Sequence, residues 1–191
     1  MEPDDLALIQ RLQSGDESAL DAIMDRYREA IFGFAYRQIF DVSAAADVTQ
    51  ETFVRVYLHR QRFQPTGSFR SWLYRIASNL CVDYARKARR TPTANVAEPT
   101  DRETGRTNLE RIEAPEPSPA DAAATAADLA ELRAEIALLP AALREPLVLF
   151  ALEDRSQQEC AEILGISVKA VEAKVARARA VLRNRLARLW R

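Results

Sequence analysis

SQQECAEILGISVKAVEAKVARARAVLRNRLARLWR (Ser156–Arg191) closes the chain, and its spacing decides how the fold is read. Ala161 is small where two helices would have to cross closely. Gly165 follows four residues later, where a tight turn needs a positive φ that glycine adopts without steric cost. Ile166 can plug the core beneath the turn, and the Ser167 hydroxyl can cap a second helix. Val171 and Val175 then point back at the first helix, and the stripe continues through Ala178, Leu182, Leu186 and Leu189. This pattern predicts a helix-turn-helix over roughly Gln157–Arg177. At about 100° per residue, the face opposite Val171 and Val175 carries Lys169, Ala173, Ala176 and Arg177, while Lys174 and Arg179 flank the inward stripe on opposite sides. Small residues let such a helix approach a major groove, and basic ones reach phosphates and guanine edges. A solvated amphipathic helix is the plainer alternative, because basic residues near a helix C-terminus are favoured by the dipole. It accounts for Arg183, Arg185, Arg188 and Arg191, but not for the joint spacing of Ala161, Gly165, Ile166 and Val171.

Charge supports the same reading only when taken locally. The formal net charge is −1, yet residues 167–191 hold 8 basic residues against the single acid Glu172. Residues 91–127 are the opposite, with 3 basic and 7 acidic residues and five of the nine prolines. This segment has no aromatic residue and few large aliphatics, so it cannot bury enough apolar area to offset its ordering entropy. It reads as a flexible acidic linker between domains 1–90 and 128–191. No apolar run approaches the roughly 20 residues of a membrane span. The acidic opening MEPDDLALIQ lacks the basic-then-apolar order of a secretory signal, so a cytoplasmic protein is expected. Cys81 and Cys160, with one histidine (His59), read as buried free thiols rather than a disulfide or a metal pair. No metal or other cofactor is expected.

Alanine, leucine, arginine and glutamate dominate and glycines number only five, which favours an all-α chain. Leu6, Ile9 and Leu12 mark a short first helix. Asp16 or Ser18 can cap a second, with the stripe Leu20, Ile23, Met24, Tyr27, Ile31 and Phe34. A third starts near Ser43 with Val48, Thr52, Phe53 and Val56 on one side. After the Pro65–Gly67 break, a fourth runs from about Ser68 to Arg90, with Phe69, Trp72, Leu73, Ile76 and Leu80 inward. Beyond the linker, Leu129, Leu132, Ile136 and Leu139 form a helix stopped at Pro140, and Leu143, Leu147, Val148 and Phe150 form the next. The expected architecture is a four-helix bundle and a helix-turn-helix domain joined by a flexible linker.

Two blocks then carry a resemblance. LPAALREPLVLFALEDRSQQECAEILGISVKAVEAKVARARAVLRNRL resembles region four of bacterial sigma factors. AADVTQETFVRVY followed by FRSWLYRIASNLCVDYARKARR resembles their region two. Their order, and the acidic segment between them, look like the extracytoplasmic-function (ECF) group of the sigma-70 family. The resemblance implies no catalysis. It implies a factor that binds RNA polymerase core, through a coiled coil of the largest subunit and the flap of the second-largest, and directs it to promoter DNA. An anti-sigma factor is the usual control in this group. The matching core-binding positions are Asp47, Gln50, Glu51 and Phe53: acids, an amide and one apolar anchor suited to a basic hairpin. The family usually has a glutamate where this chain has Ala46.

Region two would read the −10 element as melted strand, where stacking on side chains is worth about 1–3 kcal/mol per base. The Phe63–Ser68 loop, with Phe63 and Gln64, would form the base pocket. Arg70, Arg75, Asn79, Asp83, Arg86 and Lys87 would contact the strand and its backbone. Phe69 and Trp72 are core residues at least as readily as base contacts. Region four would read the −35 element with Lys169, Glu172, Ala173 and Arg177, supported by Ser167 and Lys174, while Gln157 and Gln158 could reach phosphate. Glu172 can accept from cytosine N4 or pair with Lys169. Many members have Gly-Thr-Val where this chain has Lys169-Ala170-Val171. The competing reading is a dimeric helix-turn-helix regulator that never meets polymerase. It would need a dimerisation surface and a ligand pocket, and the sequence offers no obvious long dimer helix.

Overall fold

The computed structural model describes residues 4–64, 68–90 and 119–189, with the side chains of 89–90, 119–126 and 188–189 left aside. All regular structure among these residues is helical. The first half contains α1 (Asp5–Gln13), α2 (Ser18–Ile39), α3 (Val42–His59), a 3-10 turn (Arg60–Arg62) and α4 (Phe69–Arg90). The second contains α5 (Pro119–Ala137), α6 (Ala141–Ala151), α7 (Gln157–Leu164) and α8 (Val168–Leu189).

Local chemistry sets most helix starts. The Asp4 and Asp41 carboxylates accept from the N–H groups of Ala7 and Ala44 at the heads of α1 and α3, at 2.7 and 2.8 Å. At α2 the carboxylate of Asp16, rather than a side chain at the cap itself, takes the Ser18 N–H at 3.1 Å. The Ser68 hydroxyl accepts from Ser71 N–H at 3.3 Å and opens α4. One boundary differs from expectation. Helix α5 begins at Pro119, inside the stretch read as linker. The run after Pro119 is mostly alanine, the best helix former, and proline is well suited to a helix's first position. The acidic composition of 91–127 concealed that helical tail.

The predicted stripes meet in the core of the first half through Ile9 and Leu12 from α1, Ile23, Tyr27, Ile31 and Phe34 from α2, Val48 and Val56 from α3, and Phe69 and Leu73 from α4, but Leu6, expected inward, is exposed and Leu8 is buried in its place. In the second half, Leu147, Val148 and Leu149 of α6 pack with Cys160 and Ile163 of α7 and with Val171, Val175 and Ala178 of α8. Leu129, expected inward, is largely exposed. Cys81 and Cys160 are free and buried, and burial pushes their thiols up to about 12 and about 11, so both stay protonated near neutrality. No described helix is long and apolar enough to cross a membrane.

The halves also touch. Helix α7 packs on α4, and α6 packs on α2. The contact is polar and aromatic. The Arg144 guanidinium of α6 sits 5.5 Å from the Phe40 ring at the end of α2, and Arg155 sits 5.3 Å from the Tyr74 ring of α4.

Candidate nucleic-acid interface

Helix α7 is held at both ends. Ser156 Oγ accepts from Glu159 N–H at 3.2 Å, and the Glu159 carboxylate accepts from Ser156 N–H at 2.9 Å, a reciprocal capping box. Burial works against the Glu159 carboxylate, but the bonds from Ser156 and the nearby Arg155 outweigh it and hold its pKa below the usual range. At the other end Gly165 takes φ 65°, ψ 34° and its N–H returns to the Ala161 carbonyl. Ile166 N–H reaches the same carbonyl at 3.1 Å. Ser167 Oγ then accepts from Ala170 N–H at 3.3 Å and starts α8. The turn chemistry expected from Gly165 and Ser167 is what fixes the angle between the two helices.

Val171, Val175, Ala178 and Leu182 are buried, Lys169, Ala173, Ala176 and Arg177 are exposed on the opposite face, and Glu172 is exposed at the side between the two. Gln158 is exposed and donates to Glu162 at 3.2 Å, while Gln157 is half-buried at the head of α7. Lys174 departs from this face. Its Nζ donates to the Ala142 carbonyl of α6 at 3.3 Å. Pro146, inside α6, has no N–H to give to that carbonyl four residues earlier, so Lys174 fills the place. Lys174 is therefore a structural tie across α6 and α8 before it is a DNA contact.

On α4, Arg75, Asn79, Asp83 and Arg86 are exposed and share one stripe, with Arg86 3.7 Å from Asp83. Lys87 is exposed beyond it. Arg70 stands about 140° round the helix from Arg75, with its guanidinium 5.8 Å from the Tyr27 ring. It does not belong to the same strip. Phe63 corrects the expected base pocket. It is buried, 5.8 Å from Phe69 edge-on and 5.5 Å from Trp72. Gln13 Nε2 also donates to its carbonyl at 3.0 Å. Phe63 thus belongs to the aromatic core that seats the loop. Gln64 and Ser68 are exposed, and the rest of the expected pocket, residues 65–67, lies outside the described residues.

Helix α3 sharpens the third surface. Asp47, Gln50 and Glu51 are exposed, and Glu51 pairs with Arg55 at 2.9 Å. Phe53 is 3 % exposed and faces the core, so it is not the apolar anchor that was expected. Val54 and Leu58, 43 % and 63 % exposed, lie within about 60° of Asp47 around the helix and supply the apolar part of that face. Their signal was in the sequence: they continue the Asp47–Glu51 row at the next two steps of four or so residues, on the side away from the Val48–Thr52–Val56 stripe.

Known proteins match this layout. The sigma-70 region 2 family matches residues 23–91 and the sigma-70 region 4 family matches residues 129–182. The ECF RNA polymerase sigma factor SigW of Bacillus subtilis is 33 % identical over 178 residues, covering 93 % of this chain and 94 % of that protein. The RNA polymerase sigma factor CnrH of Cupriavidus metallidurans is 34 % identical over 190 residues, covering 95 % of each. The solved structure of CnrH in complex with the cytosolic domain of CnrY superposes with a TM-score of 0.69 at 29 % identity, covering 96 % of this chain and 97 % of that one. These matches favour the polymerase-associated reading over the dimeric regulator, and the chain belongs to the ECF RNA polymerase sigma factors of the sigma-70 family.

Proposed function

We propose that this sigma factor binds RNA polymerase core through the exposed α3 row Asp47, Gln50, Glu51, Val54 and Leu58. The −10 element then meets the α4 stripe Arg75, Asn79, Asp83 and Arg86, with Gln64, Arg70 and Lys87 at its margins. The −35 element meets Lys169, Glu172, Ala173 and Arg177 on α8, with Gln157, Gln158 and Ser167 near the phosphates. The observation that carries the reading is the separation of three exposed surfaces on three helices, each chemically suited to one partner. The α3 row mixes acids with apolar groups, as a protein contact needs. The α4 stripe joins basic groups to an amide, and the α8 face joins basic groups to a small residue, each beside one acid, as strand and groove contacts allow.

In this reading polymerase does the chemistry and the factor supplies position, acting where chromosome and polymerase are, in the cytoplasm. The coiled coil of the largest subunit and the flap of the second-largest receive regions 2 and 4, and an anti-sigma factor competes for them. Run-off transcription with core polymerase on genomic fragments tests it. Start sites sharing two upstream elements are expected. No factor-dependent transcript, together with a stable dimer bound to a palindrome, would sink the reading.

A further inference from the structure

Arg70 occupies an unusual place for an arginine. It stands in the first turn of α4, on the side of the helix that further along carries Leu73, Tyr74 and Ala77 into the core. Yet it is exposed, at an edge where α1, α2 and α4 meet. Two side chains set its position. Asp5 of α1 accepts from Arg26 Nη1 at 2.8 Å on one carboxylate oxygen and from the Tyr27 hydroxyl on the other. The Tyr27 ring is buried and tilted against Phe69, 6.0 Å between centroids, which fixes where its hydroxyl lies. Burial, then the Asp5 carboxylate, push that phenol above its ordinary value, so it stays protonated and keeps donating. The Arg70 guanidinium lies 5.8 Å from the centre of the same ring.

The guanidinium is held without being neutralised. Both Asp5 oxygens are taken, and among the described residues no carboxylate pairs with Arg70. Arg26, Arg55 and Arg86, by contrast, each face an acid. An exposed guanidinium steadied by a ring, with no acid against it, presents its N–H fork to an anion. Steadying it beforehand matters, because immobilising a long side chain on binding costs about threefold to tenfold in affinity. The surroundings suit a nucleic-acid phosphate. Gln64 and Ser68 are exposed on the approach to α4, and the stripe that opens at Arg75 begins about 7.5 Å further along the same helix.

We propose that Asp5 and Tyr27 are positioning residues that hold Arg70 ready for one backbone phosphate of the melted −10 strand, which passes round the head of α4 from the Arg75 stripe. This rests on the sigma-factor reading above. It gives α1, which carries none of the DNA-contacting side chains, a part in binding the strand. The plainer role for the same three residues is to tie α1, α2 and α4 together. The two roles part in their response to salt and in their dependence on Arg70.

The test titrates holoenzyme, made with the full chain, against fluorescein-labelled single strands of a −10 element mapped by run-off transcription, both strands, over a salt series. Arg70→Ala should weaken binding of one strand about tenfold at low salt. It should also flatten the slope of log affinity against log salt by about 0.7, the share of one phosphate on a single strand. Tyr27→Phe and, separately, the half-buried Asp5→Ala should each cost about threefold with the slope unchanged, because the phosphate contact still forms once Arg70 is ordered. In an Arg70→Ala background neither should cost anything further. A slope unmoved by Arg70→Ala would overturn the proposal. So would equal costs of Tyr27→Phe or Asp5→Ala in both backgrounds, or parental affinity in both single variants. If the parent gives no factor-dependent transcript to map, the sigma-factor reading fails and takes the proposal with it. A transcribing parent with any of the other results sinks the proposal alone.

Discussion

Phe53 and Leu58 lie five residues apart on α3 and have opposite jobs. Phe53 is packed in the core, so Phe53→Ala should cost about 3–5 kcal/mol of stability. Any loss of polymerase binding in that variant would follow from unfolding. Leu58 is mostly exposed, so Leu58→Ala should leave stability within about 0.5 kcal/mol. As an anchor beside Asp47 and Glu51 it should weaken core affinity about tenfold, or roughly 1.4 kcal/mol. Urea unfolding and a core-binding titration on both variants check the pair. Equal core affinity for Leu58→Ala and the parent would remove this row from the interface. Arg177 is the corresponding residue on α8. Arg177→Ala should reduce binding to −35 DNA by about 1–3 kcal/mol while leaving core affinity unchanged. Unaltered transcription from promoters that depend on the upstream element would refute that assignment.

Elements show why some of this was legible in sequence and some was not. The helix-turn-helix was legible because the determinants read from it, Gly165 and Ser167, each act within five residues, and the Ser156–Glu159 capping box, equally local, went unread. The stripes of α2 and α4 were legible through their period. The roles of Phe53 and Phe63 were not, because an aromatic beside a polar row fits either face until the packing partner is known. Lys174 was missed for a different reason. Its task is set by a proline 28 positions earlier in another helix. That dependence is measurable as a cycle. Lys174→Met should cost about 1 kcal/mol in the parent, by leaving the Ala142 carbonyl without a protein donor. In a Pro146→Ala background, where the backbone N–H of residue 146 can serve that carbonyl, the same change should cost much less. Equal costs in both backgrounds, by urea unfolding, would show that Lys174 and Pro146 are independent.

At the scale of the whole molecule, the join between regions is built from contacts no local pattern announces, such as Arg37 to Glu153 and Ser78 to Glu145. Glu145 gives this join a pH signature. It lies on α6, and Ser78 Oγ of α4 donates to its carboxylate. Burial pushes its pKa above the usual 4.5, and the opposing pulls of Ser78, Arg144 and Lys174 do not cancel it. The folded protein therefore holds the proton more tightly than the unfolded chain. By linkage, the stability contributed by this group is fully present below about 4.5 and is lost as pH rises through the raised value. Glu145→Gln keeps the shape and removes the titration. The melting temperature of Glu145→Gln minus that of the parent should therefore grow as pH climbs from about 4.5 toward neutrality. The Glu159 capping box has the opposite sign, since its lowered pKa contributes stability above 4.5 that is lost as pH falls through the lowered value. That term is common to both proteins and cancels in the difference. A flat difference across the range would mean that Glu145 is solvated in the folded protein and that α6 does not seal against α4 at Ser78.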